Sequence, residues 1–159
     1  MSLEPFFLWM NSLPLSDYIR ESAYVSPVNN LVHLLSMVTF IGALALVDLR
    51  LLNAGMRQQP VRQVARGAQP WLVGGFMGLL VTGFIALTGT AMAQYTNRVF
   101  WLKMYILLAG LIFTATVRHK VTMADEARVA PVWGMLVGFI SLALWTSVAV
   151  AARLIMFLR

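Results

Sequence analysis

The sequence has no cysteine and, among its 159 residues, only two histidines and six acidic side chains. Without cysteine there is no disulfide, no thiolate metal centre and no cysteine-ligated iron–sulfur cluster. Any metal must be held by histidine, methionine, carboxylate or a preformed cofactor. Charged residues make up 11 % of the chain, against about 25 % in ordinary soluble domains. Also missing are a glycine-rich phosphate loop, a Ser/His/Asp set and a pair of carboxylates facing one cleft, so hydrolases and nucleotide-dependent enzymes find no support.

What is present is apolar. Hydrophobic residues make up 60 % of the chain, and they fall into four long runs at about 30–52, 71–93, 99–117 and 132–157, each near the ~20 residues that cross a bilayer. The reading is an all-α integral membrane four-helix bundle, residues 1–159 forming one domain with no room for a separate soluble part. Short connections make consecutive helices antiparallel neighbours. The net charge of +6 is no signal for nucleic acid, because the basic residues stand at the ends of apolar runs, as membrane topology requires.

Residues 1–29 place Leu3, Phe6, Phe7 and Met10 at helical spacing, with Trp9 beside them and Pro5, Pro14 and Pro27 as breaks. The expectation is a short interfacial helix. Glu4 and the interruption at Asn11, Ser12 and Pro14 argue against a signal peptide. Pro70 and Pro131 are expected in the first turns of the second and fourth spans, where a missing N–H costs nothing. Arg50, Arg57, Arg62 and Arg66 mark the first loop and Arg118, Lys120 and Arg128 the third, while the N-terminal segment sets Arg20 against three acids. By the positive-inside rule both termini face outward. Gly74, Gly78, Thr82, Ala86 and Thr90 at i+4 steps, with Gly134 and Gly138, offer smooth stripes for helix packing.

An ionisable side chain inside an apolar run is a functional-site hypothesis by default. His33 is the one histidine in such a run. At 1.5 Å per residue it lies about 5 Å below the outer end of the first span, and Lys103 about 7 Å below that of the third. Arg153 climbs to the same outer region, and Arg98 flanks it. An imidazole among cations is what a b-type haem needs, an axial nitrogen for iron and basic partners for the propionates; a quinone carbonyl or another anionic head group would suit it too. Met37 shares a face with His33, so a second axial ligand must come from Met92, Met104 or Met156, or from a second His33 across a symmetric homodimer. His33 with methionines is also a soft site for Cu(I). The alternative to all of these is a hydrogen bond from His33 to a neighbouring helix, with Lys103 and Arg153 snorkelling to the interface. His119, between Arg118 and Lys120, reads as a solvated residue beside the membrane. Asp48 and Arg50 do not face each other on a helix, so each needs another partner, and Arg118 is the expected mate of Asp48.

The order Pro14-Leu15-Ser16, Ile19-Arg20-Glu21-Ser22, Pro27, His33, Gly42, Asp48 to Leu52, Pro70-Trp71, Thr82-Gly83, Phe100 to Lys103, Ala109-Gly110, Trp145 and Arg153 resembles a bacterial membrane family whose domain has no assigned function. More remotely, a histidine in the first helix and a lysine early in the third resemble the CopD copper-resistance and HemJ protoporphyrinogen oxidase proteins. The resemblance implies a multi-pass protein of the bacterial inner membrane, with haem or copper chemistry at His33 and Lys103. The function expected first is a small subunit that binds haem b near the outer face and serves electron transfer, alone or in a larger membrane redox complex. The second is a non-redox scaffold or partner-anchoring subunit; the third is copper handling or porphyrinogen oxidation.

Overall fold

The computed structural model describes residues 3–56, 58–124 and 131–157, with side chains in the last stretch from 132 to 152. Prolines start helices here more often than they stop them. Pro5 and Pro14 sit in the first turns of α1 (Glu4–Asn11) and α2 (Pro14–Glu21), so the N-terminal segment forms two short helices where one was expected. Pro27 lies in the first turn of α3 (Val25–Leu51), and Pro131 opens α8 (Pro131–Phe157). Pro70 does not open its helix. Helix α4 (Val61–Gly89) starts well before it, and the apolar positions Val61, Val64, Ala65 and Ala68, all buried, hold the extra turns against the bundle while the proline withholds one backbone donor.

After the short α5 (Ala91–Tyr95), Asn97 caps α6 (Arg98–Phe113) by accepting the Val99 amide at 2.9 Å. The helix continues through a π-helical turn, Thr114–Arg118, into α7 (His119–Met123). The described residues thus contain four segments long and apolar enough to cross a membrane: Val25–Leu51, Val61–Gly89, Arg98–Met123 and Val132–Ala152. They pack as a bundle in which α3 lies along α4, and α8 lies between α3 and α6. Leu31, Val38, Phe84, Tyr105 and Phe139 point outward and are exposed, as side chains in contact with lipid tails must be. The chain is a multi-pass membrane protein.

Close approach is set by a few glycines. A Cβ on Gly75 would lie 2.8 Å from the Phe40 nitrogen, and one on Gly138 would lie 2.9 Å from the Asp48 carbonyl oxygen. These positions bring α4 and α8 onto the backbone of α3. A Cβ on Gly78 would run into the Ser36 side chain, but Gly74 meets open space, so the contact row keeps Gly78 and Thr82 of the i+4 stripe and has Gly75 in place of Gly74. In the centre Phe40 and Trp145 meet edge to face at 4.6 Å, over the buried Leu44.

The N-terminal helices close one end of the bundle. Phe7 and Met10 are buried against Ala91 and Phe100. Ser16 donates to the Thr88 carbonyl at 3.0 Å, and Arg20 donates from Nε to the Gly89 carbonyl at 3.0 Å and from Nη2 to the Asn11 amide oxygen. The opposite face, with Leu3, Phe6, Trp9 and Tyr18, is exposed. That two-sidedness suits a segment lying between a protein end and the lipid interface.

Candidate functional site

His33 stands on α3 about 12 Å from the helix start at Val25, facing α4. Its Nδ1 lies 2.7 Å from Thr82 Oγ1. The Thr82 hydroxyl in turn is 2.6 Å from the Gly78 carbonyl oxygen one turn back, a bond in which it must be the donor. A hydroxyl has one proton, so Nδ1–H donates to Thr82 and leaves Nε2 as the ring's other nitrogen. Nε2 has no partner among the described residues. Asn29, one turn before His33, donates from Nδ2 to the Thr82 carbonyl at 3.0 Å, and Gly83 lies beside the imidazole, where even a Cβ would make only an ordinary 3.7 Å contact with Cε1. An imidazole with one nitrogen tied to protein and the other bare is the arrangement that metal-ligating histidines show.

Lys103, on α6, is half-buried and close enough for its charge to act on His33. It has no ion-pair or hydrogen-bond partner among the described residues. Arg98 does not join it. Five residues along a helix turn the face by about 140°, and Arg98 lines a separate groove with Asn11, Arg20 and Met92. Met92 belongs to α5 and packs against the Phe7 and Met10 cluster. Met104 follows Lys103 and is 39 % exposed. Arg153 and Met156 fall within α8, but their side chains lie outside the described residues. Among the described residues no three of the His, Cys, Asp and Glu side chains come together as a metal site.

A second polar cluster lies at the other end of the bundle. Asp48 is fully buried on α3. Its Oδ1 accepts Arg118 Nε at 2.8 Å, and its Oδ2 accepts the Ser141 hydroxyl of α8 at 2.6 Å. Arg118 Nη2 also reaches the Leu44 carbonyl at 3.3 Å. Three spans are tied together at one carboxylate, with Arg118 at the end of the π-helical turn, whose first residue, Thr114, accepts the Trp145 indole N–H at 3.1 Å. Arg50, by contrast, serves its own loop, donating to the Gln59 carbonyl at 2.6 Å and to Asn53 at 3.0 Å. His119 is exposed.

The pairing of Asp48 with Arg118 is the one expected from the sequence, since a buried carboxylate is costly without a cation beside it. Thr82, Asn29 and Ser141 do not stand out there. A hydroxyl or amide that bonds across helices reads in sequence like any other small or polar residue, and Thr82 falls within the i+4 packing stripe.

No curated protein and no solved structure matches the chain. A family model does: it matches residues 6–158, a stretch that includes His33, Thr82, Lys103 and the Asp48 cluster, and the chain therefore belongs to the family of unknown function DUF6644.

Proposed function

We propose that the chain is a small redox subunit of a bacterial inner membrane, both termini outward, that binds a b-type haem through His33. The observation that carries this reading is the divided imidazole: Nδ1 held by Thr82, Nε2 bare. His33 would hold the iron through Nε2, and Lys103 would offer a cation to a propionate carboxylate. When bound, the group would supply one-electron chemistry; the protein's part is to fix the ligand ring and keep a positive charge beside it. The basic first and third loops support the orientation.

The Asp48, Arg118 and Ser141 cluster favours a second reading, a non-redox scaffold whose polar residues set helix register. An absorption spectrum of the detergent-purified chain, expressed with added 5-aminolaevulinate and recorded oxidised and dithionite-reduced, separates the two. The haem reading expects a Soret band that shifts on reduction and is lost in His33→Ala. Absence of the band leaves the scaffold, and an undiminished band in His33→Ala removes His33 as the ligand. Stoichiometric copper without haem would instead favour copper handling.

A further inference from the structure

At the end of the bundle closed by α1 and α2 there is a groove of about 850 Å³ between α2, the α4–α5 turn and the start of α6. Its polar wall holds Arg20 and Arg98 with Asn11 and Asn97, and no Asp or Glu among the described residues lines it. Arg20 is fixed by neutral partners, the Gly89 carbonyl and the Asn11 amide. Asp17 stands 4.0 Å from its Nη1, but that carboxylate is 68 % exposed and water screens it. Arg98 makes no ion pair among the described residues. Two guanidinium groups thus keep their charge on one groove, and a guanidinium fork matches the oxygens of a phosphate.

The setting points to where that phosphate comes from. The groove lies where α4 ends and α6 begins and takes Asn11 of α1 and Arg20 of α2 into its wall; the same two short helices expose Phe6, Trp9 and Tyr18, and aromatic rings of this kind collect at the headgroup level of a bilayer. Met92, Ala93 and Val99 form its apolar wall. Below Arg98 on the same face of α6, at i+4 and i+7, Leu102 and Tyr105 are 54 % and 67 % exposed. A strip of apolar surface therefore runs from the guanidinium toward the membrane interior, in line with the path of an acyl chain.

We propose that this groove is a binding site for an anionic phospholipid, its phosphate held between Arg20 and Arg98 and its chains lying along Leu102 and Tyr105. The site does not involve His33, so it stands or falls apart from the haem reading. Native mass spectrometry of the purified full chain, titrated with dioleoyl phosphatidylglycerol or dioleoyl phosphatidylcholine, tests it. One saturable phosphatidylglycerol is expected, preferred over phosphatidylcholine by about tenfold, and Arg98→Gln should weaken it about fivefold, in keeping with the contribution of one arginine at a charged interface. Equal binding of the two lipids, or unchanged phosphatidylglycerol binding by Arg98→Gln, overturns the proposal. Millimolar inorganic phosphate that occupies the groove without any lipid preference makes it a free-anion site and also overturns it. Titration of the unmodified chain at rising potassium chloride needs no variant: the clamp requires the affinity to fall with salt, and salt-independent binding counts against it.

Discussion

At residue scale, each of the two polar clusters is held by a partner from another helix. Thr82 fixes the His33 ring by accepting from Nδ1 while giving its own proton to Gly78. Thr82→Val keeps the shape and removes the acceptor. On the haem reading the variant should fold as before yet hold its haem about tenfold more weakly, as loss of a supporting hydrogen bond does at metal-bound histidines; the Soret absorbance per chain under dilution measures this, and an unchanged ratio would separate Thr82 from the site. At the other end, Asp48 and Arg118 are 0 % and 4 % exposed. Arg118→Leu leaves a buried carboxylate without its cation and should cost about 3–5 kcal/mol, whereas Asp48→Leu combined with Arg118→Met should recover most of the loss. Thermal unfolding in detergent compares the three. A double variant as weak as the single one would show that the pair contributes net stability.

Among the elements, close helix contacts depend on which glycine faces which backbone. Gly138→Ala places a methyl 2.9 Å from the Asp48 carbonyl oxygen, and neither backbone can yield cheaply, so α8 must move off α3 at a cost of about 1–3 kcal/mol. Gly74→Ala meets open space and should leave the melting temperature unchanged or slightly raised, since alanine favours a helix. Equal destabilisation by the two would put the contact face elsewhere. The contrast also shows what the sequence could and could not carry. Four apolar runs gave four spans, because hydropathy over some 20 residues tolerates errors of several positions. The stripe at i+4 misled because each step advances the face by about 40°, so Gly74 and Thr90 end about 160° apart. The same arithmetic separates Arg98 from Lys103, which lie near the same end of α6 but not on one face. The start of α4 lay hidden for another reason: Val61, Val64, Ala65 and Ala68 have helical period, but Arg62, Gln63, Arg66 and Gln69 between them lower the hydropathy of the window. His33 and Lys103 stood out because their ionisable groups are rare in apolar runs; Thr82 and Ser141 did not, since a hydroxyl shows its partner only in three dimensions.

For the whole molecule, the lack of cysteine makes topology directly measurable. Ser12 precedes α3 and Gln58 follows it, and both are exposed. Single cysteines introduced there, Ser12→Cys and Gln58→Cys, should react with a membrane-impermeant maleimide from opposite sides of sealed vesicles. With both termini outward, Ser12→Cys labels in right-side-out vesicles and Gln58→Cys labels only after permeabilisation. The reverse pattern would invert the molecule, and labelling of both from one side would deny that α3 crosses.

The N-terminal helices carry one more consequence, which concerns the order of synthesis. Ser16 docks on Thr88, 72 residues later in the chain, and Phe7 waits for Phe100. At about 5–20 residues per second a ribosome needs roughly 4–15 s to cover that gap. Through that interval Phe7 and Met10 have no protein to cover them, while Leu3, Phe6 and Trp9 already prefer the lipid interface. The bilayer surface is therefore the natural support for the nascent segment, whose docking partners exist only once the second span is complete and the third has begun.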